Sequence, residues 1–131
     1  MNEIIKDFEL AKQTMENAYS PYSNFKVGVV LTAKNGKKYT GCNVENHGIQ
    51  AICGERVAFT KAISEGEREF QRIVVVGGEN AETSSEECLP CGYCRQFMSE
   101  FVDSEFKVYT LDGDVIKEYS MAELLPYSFK F

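Results

Sequence analysis

A chain of 131 residues with 44% hydrophobic and 26% charged side chains has the composition of an ordinary globular protein, long enough for one core. Its 20 acidic against 14 basic residues, a net charge of -6, argue against a nucleic-acid partner, whose phosphates need basic neutralisation. No apolar run approaches the roughly 18 residues of a membrane span, no export signal is visible, and five cysteines are then expected to serve as free or metal-binding thiols in a reducing cytoplasm.

Residues 4–19 place Ile4, Phe8, Ala11, Met15 and Ala18 at spacings of three and four, which predicts an amphipathic helix ended by "YSPYSN". Phe25, Val27, Val29, Leu31 and Ala33 then alternate with Lys26, Gly28, Val30 and Thr32, a strand with one apolar and one mixed face. Asn35-Gly36 predicts a two-residue hairpin turn, and the returning strand, over 38–44, delivers "CNVEN" to the end of the sheet. Ile52, Val57, Ala58, Phe59, Ala62 and Ile63 mark the buried side of a second helix that Gly66 terminates.

"RIVVVGG" reads as a strand buried on both faces, and the acidic loop 79–87 leads from it to Pro90 and a third helix over 90–101. Strands over 106–111 and 115–119 flank the turn "DGD". Ser120 and Glu123 form a capping-box pair for a short last helix halted by Pro126. The order α-β-β-α-β-α-β-β-α predicts an α/β fold, a three-layer α/β/α sandwich with a mixed five-stranded sheet, in a single domain spanning 1–131.

The chemistry gathers in "CGE" and "PCGYC". Cys91 and Cys94 lie three apart at a helix start, on one face, where they can hold one metal ion. Cys53 and Glu55 are two apart, which on a regular helix aims them about 200° from each other; the metal therefore belongs beyond the helix end, where both reach one spot. Structural zinc takes four protein ligands, whereas catalytic zinc keeps three and a water. Three thiols beside one acid fit the second pattern, with Cys53, Cys91 and Cys94 as ligands and Glu55 as proton carrier. Three thiolates on one divalent ion leave a charge of -1; two helix N-termini and the neighbouring Arg56 and Arg95 oppose it. Arg56 is the candidate donor to a thiolate, tuning the metal from outside its ligand shell.

These segments resemble the zinc nucleoside deaminase signature, Cys or His followed by Glu and then P-C-x-x-C. "SPYSNFKVGVVL", "GCNVEN", "AFTKAISEG" and "ELLPYSF" are similar to corresponding segments of the small homotetrameric cytidine deaminases, so that the resemblance spans nearly the whole chain. It implies zinc on Cys53, Cys91 and Cys94, one ion per chain, and a pyrimidine nucleoside pocket. Glu55 would take a proton from the attacking water, protonate the ring N3 and pass a proton to the departing amine. Phe25 would lie against the base, and Asn43 and Glu45 would hydrogen-bond the ribose hydroxyls. The implied reaction converts cytidine and deoxycytidine to uridine and deoxyuridine with release of ammonia, in a cytoplasmic homotetramer with no nucleic-acid or membrane partner. The chain departs from the family at Tyr93 and Gly54, where small residues and alanine are common, and in "HGIQAI", one residue short and without a tyrosine.

Other uses of the same residues are open at this point. Cys42 and Cys88 are most simply core or incidental thiols; His47, the only histidine, is a conceivable fourth ligand. Asn43 and Glu45 can be polar residues at a strand end, Phe25 a core residue in phase with Val27, and Phe129 and Phe131 a frayed tail. A blasticidin-S-type deaminase shares the zinc site. "CGYC" at a helix start also suits a thiol-disulfide oxidoreductase, which leaves Cys53 and Glu55 unexplained, and a structural zinc module would need Cys42 or His47 to close the shell.

Overall fold

The computed structural model describes residues 2–48, 50–82 and 86–131; Ile49 in the "HGIQAI" stretch and residues 83–85 of the acidic loop lie outside the described residues. Helix α1 (Asn2–Met15) presents Ile4, Phe8, Ala11 and Met15 to the core. It ends four residues earlier than its periodicity predicts. The backbone of Tyr19 bonds instead to Asn43 and Glu45, forming an isolated bridge to Val44, and those long-range bonds override the local helical pattern.

Strand β1 (Lys26–Ala33) pairs antiparallel with β2 (Lys38–Cys42) on one side and with β3 (Phe70–Gly78) on the other. The connection at 34–37 is longer than the two-residue turn expected, because a type I′ turn needs positive φ at both central residues. Only Gly36 has it, at 91°, while the Asn35 side chain accepts from Lys37 N at 2.9 Å. The second strand also stops at Cys42, two residues short of the expectation; Val44 makes only bridges, to Tyr19 and Ile52.

Strand β4 (Lys107–Asp112) runs parallel to β3, and β5 (Val115–Ser120) closes the far edge antiparallel, giving the order β2-β1-β3-β4-β5. Both faces of β1 are covered, as a three-layer sandwich requires. Val29 and Leu31 pack with Ala58, Phe59 and Ala62 of helix α2 (Gly54–Ser64), whereas Val30 packs with α1 and with Val74 and Val76. Helices α3 (Gly92–Ser99) and α4 (Met121–Leu124) add Met98, Met121 and Leu124 to the α2 side, so the chain builds the α/β/α sandwich with a mixed five-stranded sheet. Helix α3 is shorter than predicted at both ends. The capping box of α4 forms as read, with Ser120 Oγ accepting from Glu123 N at 3.1 Å and Glu123 Oε1 from Ser120 N at 2.9 Å.

Two devices lock helices onto the sheet. A Cβ on Gly41 would overlap the carbonyl oxygen of Gly54 and the backbone of Ala58, so glycine is what lets the first turn of α2 lie on the end of β2. On the opposite face, Asp7 of α1 is withdrawn from solvent and accepts from Lys38 at 2.7 Å and Arg72 at 2.9 Å, tying the helix to β2 and β3 through one neutralised carboxylate.

Candidate active site and metal centre

Two helix starts meet at one end of the sheet. Cys53 and Cys91 are the N-cap residues of α2 and α3, both with extended backbone (φ -73°, ψ 150° and φ -69°, ψ 168°), and Cys94 lies one turn into α3, fully buried. A residue at the N-cap is outside the helical spiral. Cys53 is thereby freed from the opposed direction that a spacing of two would impose relative to Glu55. The three sulfurs all lie within 4.8 Å of one another, and Cys53 Sγ is 3.9 Å from Cys91 Sγ.

That spacing fits zinc. Zinc–sulfur bonds of about 2.3 Å at tetrahedral angles separate two sulfurs by about 3.8 Å. Among the described residues the cluster contains no fourth histidine, cysteine or carboxylate. His47 is exposed and packs edge-on against Tyr22 at 6.4 Å between centroids, and Cys42 is outside the cluster as well. The donor set is therefore of the three-ligand, open kind.

One of the three thiols is held ready for a cation. A hydrogen bond from the Cys94 thiol, with Arg56 adding to it, holds the Cys53 thiol down to about 5, while the same hydrogen bond and burial push Cys94 up. Arg56 Nη2 donates to Cys53 Sγ at 3.5 Å and to the carbonyl of Ala51 at 3.1 Å. Arg95, the other arginine beside the cluster, does not serve the sulfurs. Its Nε donates to Pro90 O at 2.8 Å and its Nη1 to Leu124 O at 2.9 Å, which joins the start of α3 to the end of α4.

Glu55, in the first turn of α2, is 3% exposed. Burial pushes its carboxyl up to about 7, and the neighbouring Cys53 charge acts in the same direction. An acid in that range can hold a proton and release it near neutral pH. Cys88 is drawn into the same environment: burial first, then the charges of Glu55 and Cys53, push its thiol up to about 12. Cys88 packs against the core, as expected of it, and also forms part of the wall beside the site. A Cβ on Gly77 would meet Cys88 Sγ at 2.7 Å and Phe25 Cε2 at 2.9 Å, so the bare end of β3 lets this thiol and the Phe25 ring close over it. The sequence marks Cys88 as a core thiol and gives Gly77 no role; that the two meet beside the site follows only from the packing of separate elements.

Phe25 is 43% exposed at the mouth of β1, presented there by the left-handed turn at Asn24 (φ 58°). Asn43 spans the start of β1, its Oδ1 accepting from Val27 N at 2.8 Å and its Nδ2 donating to Phe25 O at 2.9 Å. Glu45 accepts from the backbone of Tyr22 at 3.0 Å and Ser23 at 3.2 Å and from the Ser23 hydroxyl, which holds its carboxyl below the usual range. Both residues therefore shape the loop that carries Phe25. A carboxylate offers about four lone-pair sites, so this work leaves Glu45 acceptor capacity. The segment 86–90 is pinned in turn by Glu87, which accepts from the Thr110 hydroxyl at 2.6 Å and from the Tyr119 hydroxyl.

The family described as the cytidine and deoxycytidylate deaminase zinc-binding region matches residues 1–110. A curated relative, a cytidine deaminase of Sporosarcina psychrophila, is 43% identical over 122 residues, covering 91% of this chain and 85% of that protein. Blasticidin-S deaminase of Bacillus cereus is more distant, at 27% over 130 residues, 95% of this chain and 92% of its own. Among solved structures, cytidine deaminase from Burkholderia pseudomallei superimposes with a TM-score of 0.86 at 39% identity, covering 95% of this chain and 98% of that one.

Proposed function

The chain belongs to the zinc-binding cytidine and deoxycytidylate deaminase family, and on that premise we propose how its own residues divide the work of hydrolytic deamination. The protein is an enzyme, a zinc-dependent cytidine deaminase, converting cytidine and deoxycytidine to uridine and deoxyuridine with release of ammonia. The observation that carries the reading is the convergence of Cys53, Cys91 and Cys94 within 4.8 Å beside a carboxylate that is 3% exposed.

Cys53, Cys91 and Cys94 hold the zinc. Bound there, zinc supplies the Lewis acidity that makes a water nucleophilic near neutral pH. Glu55 takes one proton from the attacking water and delivers it to N3 of the ring as oxygen bonds to C4. It then carries the second water proton to the exocyclic nitrogen, and the C4–N bond breaks to release ammonia. Its burial suits both halves, because a carboxyl raised to about 7 gives and takes protons with little bias at neutral pH. Arg56 offsets the negative charge of three thiolates through its bond to Cys53. The half-exposed Phe25 face receives the flat base, and Asn43 and Glu45, fixed by their bonds to 22–27, offer amide and carboxylate to the ribose hydroxyls.

One domain over 1–131 carries the reaction, the residues after the family match including β5, which completes the sheet against β4. A homotetramer is the assembly we favour. Tyr19, Val44 and Ile52, joined side by side by backbone bridges, leave a row of exposed apolar side chains that a second copy would cover. No described helix is long and apolar enough to cross a membrane, and five cysteines outside any disulfide suit the cytoplasm.

The direct test follows the ultraviolet band of the base for cytidine, deoxycytidine, free cytosine, cytidine monophosphate and blasticidin S. The two nucleosides are expected to be converted fastest. A preference for the nucleotide contradicts the pocket assignment, and a preference for blasticidin S contradicts the substrate class.

A further inference from the structure

Tyr93 is the residue of the metal centre that neither the ligand set nor the proton chemistry uses. It stands between Cys91 and Cys94 in the first turn of α3, and its ring is 61% exposed. Its face covers Arg56 of α2, with the guanidinium carbon 4.1 Å from the ring centroid. The hydrogen bonds of Arg56 to Cys53 Sγ and to Ala51 O both run through the single nitrogen Nη2, and the guanidinium also feels the Cys94 sulfur. A guanidinium anchored at one nitrogen can still pivot about it. Its Nε is buried without a hydrogen-bond partner among the described residues, so no bond at that end sets the plane. The ring supplies what is missing, a flat electron-rich surface against which a planar cation lies in one orientation.

We propose that Tyr93 is a positioning residue: its ring clasps Arg56 across the gap between α2 and α3, keeping the guanidinium on the Cys53 sulfur and slowing the parting of the two ligand-bearing helix starts. The contact links one ligand, Cys53 on α2, to the pair on α3 without touching the metal. A small side chain at 93 would leave Arg56 hydrogen-bonded but free to turn away, and the sulfur would lose its shield from water. The inference rests on zinc being held by Cys53, Cys91 and Cys94.

The test compares Tyr93→Leu, which keeps apolar bulk without an aromatic face, with Tyr93→Phe, which keeps the face without the hydroxyl. Position 93 is exposed enough for folding to tolerate either change. Zinc release from the loaded protein to a chromophoric chelator is expected to quicken roughly tenfold in Tyr93→Leu, and to stay within about twofold of the parent in Tyr93→Phe. In the cobalt-substituted proteins the sulfur-to-metal charge-transfer band should shift in the leucine variant and not in the phenylalanine one. KM for cytidine should be unchanged in both. Three results overturn the clasp: a leucine variant that releases zinc at the parent rate, a phenylalanine variant as fast as leucine, or an effect confined to KM. A parent protein that binds no zinc refutes the metal assignment as well, whereas a loaded parent with an indifferent leucine variant refutes the clasp alone.

Discussion

Asp7 and Glu55 are two carboxylates almost equally withdrawn from water, 2% and 3% exposed, on helices that cover opposite faces of the same sheet. The fold treats them in opposite ways. Asp7 meets Lys38 and Arg72 at 2.7 and 2.9 Å, so its charge is neutralised where it lies, and the pair of cations ties three elements together. Glu55 makes no ion pair among the described residues: burial and the Cys53 sulfur raise its affinity for a proton, its own backbone N–H and the Arg56 charge oppose them only in part, and the Arg56 guanidinium donates to Cys53. Buried charge that is paired serves stability, while buried charge left poised for a proton serves chemistry. Burial alone therefore does not mark an active site; burial without neutralisation does.

Replacing ligands attacks the chemical side of this contrast hardest. Cys53→Ala should lose zinc and cut turnover by more than ~10³-fold, since the large lowering of the water pKa is lost with the metal. Metal analysis and ammonia release check it together. Asp7→Ala is the mirror experiment. It leaves Lys38 and Arg72 facing each other, and about 3 kcal/mol of folding stability should go, read as a lower denaturation midpoint, while the zinc content and kcat stay as in the parent. If Asp7→Ala impaired catalysis more than stability, the division between the two regions would fail.

The smallest effect sharpens the comparison, because Glu87 belongs to neither extreme. Hydrogen bonds from Thr110 and Tyr119 hold its carboxyl below the usual range. A folded pKa below the unfolded one stabilises fully above the unfolded value near ~4.3 and loses the effect as pH falls through the folded value. Glu87→Gln should therefore cost about 1 kcal/mol at neutral pH, and the gap from the parent should close in acid. Denaturation at several pH values reads it directly; a gap that widened in acid would show that the clamp is not ionic.

Much of this was legible without coordinates, for reasons specific to each element. The three thiols and Glu55 stand out because their residue types serve few other purposes at that spacing, and the capping box of α4 forms because both partners lie within one turn. The first helix stops short of its period because Ala18 continues that period while the backbone of Tyr19 finds partners in Asn43 and Glu45. The turn at Asn35-Gly36 is wider than the dipeptide predicts because, of the two, Gly36 alone adopts positive φ. Cys88, Gly77 and Tyr93 were unreadable as neighbours of Glu55, Phe25 and Arg56, since each meets its partner only through the packing of separate elements. Contacts made across the fold leave no period in the chain.

In the proposed mechanism Glu55 moves protons and holds neither the metal nor the fold. Glu55→Gln keeps the shape of the side chain and removes its acid chemistry. Measured on one preparation, its zinc-to-chain ratio should equal that of the parent at about one, while the rate of ammonia release from cytidine falls by roughly 10²–10⁴-fold. Full zinc with undiminished ammonia release would contradict the account, and so would a loss of zinc that accompanies the loss of rate.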